Sequence, residues 1–402
     1  MPTTPQAIKR ATDQETIAPL VELCKAGRLF DVQAWIAAGK PVNSPPPPDK
    51  GQRPRTPLEY AIDRGFHSLV QVLLEAGAVQ EPEGYDAPIY QALRARRFDI
   101  VQLLVEHGFD PKAVDMHAVF CSWDPQIMDY FIERGAELQQ GHPFASALCD
   151  RIRTALGRYK RCRERMPELQ EQADIALRHH CKEGNLKWVS LMLWAGADPY
   201  NPGTENPGEE LDEDDGGLSA LGFAALYGHY EVFELKPIRS RPVGPAAAEM
   251  LLFLTRGKGL DILKRLLEKG LDPNDQESGG CSTIRSCLDG MSWARHYSPY
   301  AWERDAPKRS LDTSESRDKL KAIHLLAKHG AKWMPVDKRE VDSARRSLLR
   351  LKPDYTIEFV WIMGKYQACT VECVNDLLRT PAMKSHTAAY RARLQEILAL
   401  WS

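Results

Sequence analysis

The sequence has no CxxC pair. Its nine cysteines are an odd number scattered over 402 residues, which argues against a disulfide framework and fits a reducing compartment. Cys369 and Cys373 are four apart and would share a helix face. No two close Cys/His pairs fall at zinc-finger spacing. The triplet His179-His180-Cys181 comes nearest, and it reads as ordinary helix residues. No run of about 18 apolar residues occurs, so no membrane-spanning helix is expected. The opening MPTTPQAIKRATDQE lacks the apolar stretch of a secretory signal. A cytoplasmic location is therefore expected. An excess of one charge is missing too: 53 Lys plus Arg stand against 55 Asp plus Glu, a net charge of −2. That balance gives no general attraction to nucleic acid or to an anionic membrane, so any electrostatic function has to be local. Finally, there is no G-x-S-x-G, no P-loop, no H-E-x-x-H and no dinucleotide fingerprint. We expect no catalytic residues, no cofactor, no metal ligands and no enzymatic activity.

What the sequence does have is a recurring phrase. A short apolar helix ends in a small residue and then Gly: VQAWIAAG at Gly39, VQVLLEAGA at Gly77, VQLLVEHG at Gly108, MDYFIERGA at Gly135, VSLMLWAGADP at Gly196, LKRLLEKGLDP at Gly270 and IHLLAKHGA at Gly330. The gaps are 38, 31, 27, 61, 74 and 60. The later, nearly doubled gaps imply inserted segments or degraded copies. Twelve residues before the terminal Gly stands a second landmark: Gly27, Gly65, Arg96, Gly184 and Lys258. Seven residues earlier again is an apolar position, Leu20, Leu58, Ile89, Leu177 and Leu251.

These landmarks resemble the ankyrin-repeat family, whose period is about 33 and whose consensus opens T-P-L-H-x-A. Thr56-Pro57-Leu58-Glu59-Tyr60-Ala61 matches it with Glu59 in the His place, and Ala87-Pro88-Ile89-Tyr90-Gln91-Ala92 matches more loosely. Ser219-Ala220-Leu221-Gly222-Phe223-Ala224 supplies a further copy that breaks at Pro237. The resemblance covers roughly residues 18 to 335 and implies an all-α solenoid of about eight helix-turn-helix repeats. No single helix pair can bury both its faces, so neighbours must stack. The expected layout is a lead-in or capping helix over 1–17, repeats one to four over 18–142, a basic inserted helix over 143–172, repeats five to eight over 173–335, and a helical cap over 336–402.

In a solenoid the departures from the repeat point to function, because insertions map to loops on one face. The Pro-rich loop 41–55 cannot be helix or central strand and reads as extended polyproline. The segment RIRTALGRYKRCRER carries Arg151, Arg153, Arg158, Lys160, Arg161, Arg163 and Arg165 against one acid, Glu164. Its apolar stripe Ile152, Ala155, Leu156 and Tyr159 would dock it and leave a basic face exposed. The loop 204–217 holds seven carboxylates and no base, so it should repel itself and stay extended. The insertion 296–316 interleaves Tyr297, Tyr300 and Trp302 with Arg304 and other cations, the residue types of binding hot spots.

We expect a non-enzymatic adaptor or inhibitor that binds a protein partner on the concave surface the resemblance implies and on these insertions. The candidate binding residues are Arg151, Arg158, Lys160, Arg161, Arg165, Tyr297, Tyr300, Trp302 and Arg304. A second reading is nucleic-acid binding through 151–165. A third, an enzyme with an unrecognised C-terminal domain, would need a titratable cluster in a deep pocket.

Overall fold

In the computed structural model of the chain, residues 9–46, 53–81, 84–209, 217–274, 282–292, 313–335, 337–349, 351, 353–378 and the positions 392, 395, 396 and 399 are described. The chain divides into two compact units, Met1–Gln172 and Ala173–Ser402.

The first unit is a series of short helix pairs: α1 (Gln14–Lys25) with α2 (Leu29–Ala37), α3 (Pro57–Asp63) with α4 (His67–Glu75), α5 (Pro88–Arg94) with α6 (Phe98–Glu106), α7 (Met116–Cys121) with α8 (Pro125–Glu133), and α9 (Pro143–Cys149) with α10 (Arg153–Arg163). First helices pack on first helices, from α1 through α9, and second helices on second helices, from α2 through α10. Each first helix starts where the sequence places a cap or a proline. Thr56 and Glu59 form a reciprocal capping box on α3, with Pro57 in the first turn. Val70, Leu73, Ile100, Val101, Ile127 and Phe131 are buried and fill the space between the rows. Leu20, Leu58 and Ile89, the apolar landmarks, are buried as well.

The segment 143–172 differs from the single inserted helix expected of it. It folds as the pair α9–α10, in the same packing register as its predecessors. Ile152, Ala155, Leu156 and Tyr159 are buried as the stripe requires. Phe144 joins them, its ring 5.6 Å from Tyr159 and 4.7 Å from Phe120. The long gap between Gly135 and Gly196 thus contains a degraded copy whose glycine landmark has been replaced by Arg151.

The second unit begins within α11 (Gln170–Glu183) and continues with α12 (Leu186–Ala195), α13 (Ala220–Tyr227) and α14 (Lys236–Arg239), then α15 (Gly259–Glu268), α16 (Thr283–Ser292), α17 (Thr313–Lys328), α18 (Lys338–Leu348), α19 (Pro353–Lys365) and α20 (Val371–Leu378). Two helical positions are 3₁₀ rather than α, Tyr230–Glu234 and Pro245–Leu254. The first ends at Glu234, where Leu235 turns to an extended conformation and Pro237 sits in the first turn of the short α14. A two-residue ribbon pairs Pro202–Gly203 with Leu218–Ser219 and carries the acidic loop, of which 210–216 lie outside the described residues. Here α16 packs on α18, α17 on α19 and α18 on α20. The segment expected as a cap therefore continues the pairing with α18–α19. Gln367 has a positive φ of 49° after α19, where earlier copies carry Gly, so the sequence phrase is lost while the geometry persists.

The seven recurring glycines all have positive φ, from 69° at Gly39 to 109° at Gly108, the left-handed conformation that closes a helix C-terminus. At the earlier landmark, Gly257 (φ 54°) and not Lys258 takes the left-handed position. The described residues 41–46 and 53–55 are non-helical, and Arg53 closes onto Glu59 at 2.6 Å. Residues 47–52 are outside the described set.

Candidate functional site

Each pair in the first unit turns from its first helix to its second through one left-handed residue: Gly27, Gly65, Arg96, Trp123 and Arg151, with φ of 70°, 69°, 53°, 58° and 65°. The turns at Gly27, Gly65, Arg96 and Arg151 close with the same pair of bonds, whereas at Trp123 only the bond to the Phe120 carbonyl forms and the Asp124 N–H goes to Ser122 Oγ. The Gly65 N–H reaches the Ile62 carbonyl and the Phe66 N–H reaches Ala61; equivalently, Arg151 reaches Leu148 and Ile152 reaches Ala147. This is the Schellman arrangement, in which glycine is the residue of least strain. Side chains with a Cβ pay about 1–2 kcal/mol in that conformation.

Glycine also has room reasons at the first two turns. A Cβ on Gly27 would lie 2.6 Å from the Phe66 ring, and one on Gly65 would meet the Arg97 guanidinium. Arg97 is held there by Asp99, at 2.6 Å, and by the Gly65 carbonyl, at 2.5 Å. From the third turn onward the glycine is gone. Arg96 and Arg151 are exposed, and Trp123 shows 43 % of its surface to solvent. An exposed indole and two guanidinium groups occupy strained positions in three successive turns of one edge.

Beside this edge a groove of about 190 Å³ is lined by Tyr90, Leu93 and Arg94 of α5 and by Ala118, Cys121 and Ser122 at α7. Tyr90 fixes the wall, because its hydroxyl accepts the Asp115 N–H at 3.0 Å. Asp115 in turn caps α7 through the His117 N–H.

The sequence candidates fall unevenly around this edge. Arg151 belongs to it. Arg158, Lys160 and Arg161 lie on α10 in the second-helix row, and Arg165 follows that helix. Arg158 makes a two-pronged contact with Asp129 of α8, at 3.1 and 2.7 Å, and Arg161 reaches the same carboxylate at 2.8 Å. Burial of Asp129 opposes its ionisation, but the bonds and charge of Arg158, then of Arg161, outweigh it and hold the carboxyl below the usual range. Arg158 and Arg161 are thus engaged within the fold. Tyr297, Tyr300, Trp302 and Arg304 lie outside the described residues.

Among the described residues, two groups place His, Cys or carboxylate ligand atoms within 4.8 Å of one another: His179 with His180 and Glu183, and His117 with Cys121 and Asp150. In the first, His180 is fully buried and stacks on Trp188 with ring centroids 5.3 Å apart. Its ring is packed as a core residue. No helix among the described residues is long and apolar enough to cross a membrane.

The paired helices, left-handed turns and row-on-row stacking meet a family description. Residues 20–115 match the model for ankyrin repeats in three copies. Among solved structures, the ankyrin repeat domain of human ASB11 matches at 17 % identity, covering 58 % of this chain and 97 % of that domain, with a TM-score of 0.36. No curated protein matches. Ankyrin repeats are in general protein–protein interaction modules. Sequence reasoning found the repeat register but missed Trp123 and Arg96 as binding candidates. The signal was present, since Arg96 stands at the glycine landmark of its copy.

Proposed function

We propose that the protein is a non-catalytic scaffold, an adaptor or inhibitor, whose first unit grips one protein partner along the Arg96–Trp123–Arg151 turn edge and the adjoining groove. One observation carries this reading: three successive helix-pair turns hold a large exposed side chain where glycine is favoured. Each substitution costs stability, and strained backbone positions cluster at ligand-contacting surfaces. The residue types kept are Arg and Trp, those enriched at energetic centres of protein interfaces. Their chemistry suits a partner surface with carboxylates flanking an apolar patch. The basic helix contributes less than its composition suggests, because Arg158 and Arg161 share Asp129.

The test sets stability against binding. Arg96→Gly combined with Trp123→Gly relieves the left-handed strain, so the variant should be as stable as wild type or up to about 1 kcal/mol more stable. Affinity capture from the native host followed by mass spectrometry should lose a specific protein relative to wild type. Identical captured sets from a stable variant would sink the proposal.

A further inference from the structure

Apart from the turn edge, α7 and the end of α9 bring three metal-ligand types together. His117 and Cys121 are four residues apart on α7 and share one face. Asp150 follows α9 directly. His117 Nε2 is 2.9 Å from Asp150 Oδ2 and 3.6 Å from Cys121 Sγ, and the three ligand atoms lie within 4.8 Å of one another.

These distances can be compared with those in a zinc site. Bonds of about 2.05 Å to imidazole nitrogen, about 2.3 Å to thiolate sulfur and about 2.1 Å to carboxylate oxygen, set at tetrahedral angles, place nitrogen and sulfur about 3.5 Å apart and nitrogen and oxygen about 3.4 Å apart. The His117–Cys121 separation already has this value. The His117–Asp150 separation is shorter by about half an ångström, as a direct hydrogen bond requires. Asp150 is largely solvent-exposed, so its side chain is free to move by that amount.

We propose that His117, Cys121 and Asp150 form a three-ligand site for a zinc-class divalent cation, with water completing the tetrahedron. Imidazole, thiolate and carboxylate together favour a borderline metal over calcium or magnesium, which take oxygen ligands. On binding, Cys121 gives up its thiol proton to solvent. His117 turns an Nε2 lone pair to the ion and carries its hydrogen on Nδ1. Thiolate and carboxylate then balance the two positive charges. The ion clips the first helices of adjacent copies to one another, next to the groove that Cys121 also lines.

The experiment uses the full-length reduced protein titrated with Co²⁺ and then Zn²⁺. Wild type should take up one Co²⁺ with a sulfur-to-cobalt charge-transfer band, which Zn²⁺ displaces. Cys121→Ser should abolish that band, and His117→Ala and Asp150→Asn should each weaken binding by at least about tenfold. Zn²⁺ should raise the melting temperature of wild type and not that of Cys121→Ser. Asp150→Asn keeps shape at an exposed position, so its effect on affinity is readable even if Cys121→Ser folds poorly. A band of unchanged intensity in Cys121→Ser would assign the metal to other cysteines. That result, or the absence of any band in wild type, overturns the site.

Discussion

Asn43 and Asn274 make the same pair of bonds, one in each compact unit. Asn43 Nδ2 donates to the Gly77 carbonyl at 2.9 Å while its Oδ1 accepts the Val79 N–H at 2.8 Å. Asn274 Nδ2 donates to the Gly330 carbonyl at 3.0 Å while its Oδ1 accepts the Lys332 N–H at 2.7 Å. Each asparagine stands four residues after its own landmark glycine, Gly39 or Gly270, and each clamps the residues at and two beyond the landmark of the next described copy. The clamp satisfies backbone groups that the end of a helix leaves without partners. Asn43→Ala removes both bonds at a buried position and strands a carbonyl and an N–H. We expect a loss of about 1–3 kcal/mol in urea denaturation. A midpoint unchanged within error would mean that water serves these groups equally well.

The second prediction concerns Gly65. Its left-handed φ of 69° and the Arg97 guanidinium lying where a Cβ would go act in the same direction. Gly65→Ala must strain the turn and displace Arg97 from the Gly65 carbonyl. A destabilisation of about 1–3 kcal/mol is expected by thermal unfolding. The opposite-signed change at Arg96, described above, makes the pair a check on turn strain itself.

Leu73 tests the packing register. It is fully buried on α4, so truncating it to Ala leaves a cavity where an isopropyl group packed. Leu73→Ala should lower stability by about 2–5 kcal/mol in chemical denaturation. Stability equal to wild type would place Leu73 at the surface and break the register.

Much of this architecture could be read from the sequence because glycine marks backbone geometry that other residues adopt only under strain. Gly77, Gly108 and Gly135 announced helix ends, and the structure puts helix ends there. Legibility failed where another residue accepted the strain. Arg151 concealed the α9–α10 pair, so that copy was read as an insertion, and Gln367 replaced the glycine of the repeat phrase after α19, so the helices there were read as a cap. The turn edge was only partly visible, because a lone Trp123 or Arg96 has no sequence partner until stacking sets the turns side by side. His117 and Cys121 show helical spacing, but Asp150 joins them only through the packing of α9 on α7. The acidic loop was legible as charge, and Glu205 at its start pairs with Lys182 at 2.7 Å.

The last prediction separates the structural part of the basic helix from whatever it offers a partner. Arg158 is the more enclosed of the two arginines on Asp129, with 16 % of its side chain exposed against 64 % for Arg161. Asp129→Asn removes the charge that Arg158 faces across α8 and α10, and we expect a loss of about 1–3 kcal/mol at neutral pH, most of it from Arg158. The acid side follows from linkage. The folded carboxyl of Asp129 ionises at lower pH than in the unfolded chain, so its contribution is complete above the unfolded value of about 4 and fades as pH falls through the lower, folded value. Urea denaturation of wild type and Asp129→Asn across pH 3 to 7 should therefore show a gap that is constant from about pH 5 upward and closes on acidification. A gap that persisted undiminished in acid would assign the loss to altered packing. A gap absent at neutral pH would mean that the Arg158–Asp129 pair contributes nothing to holding α10 on α8.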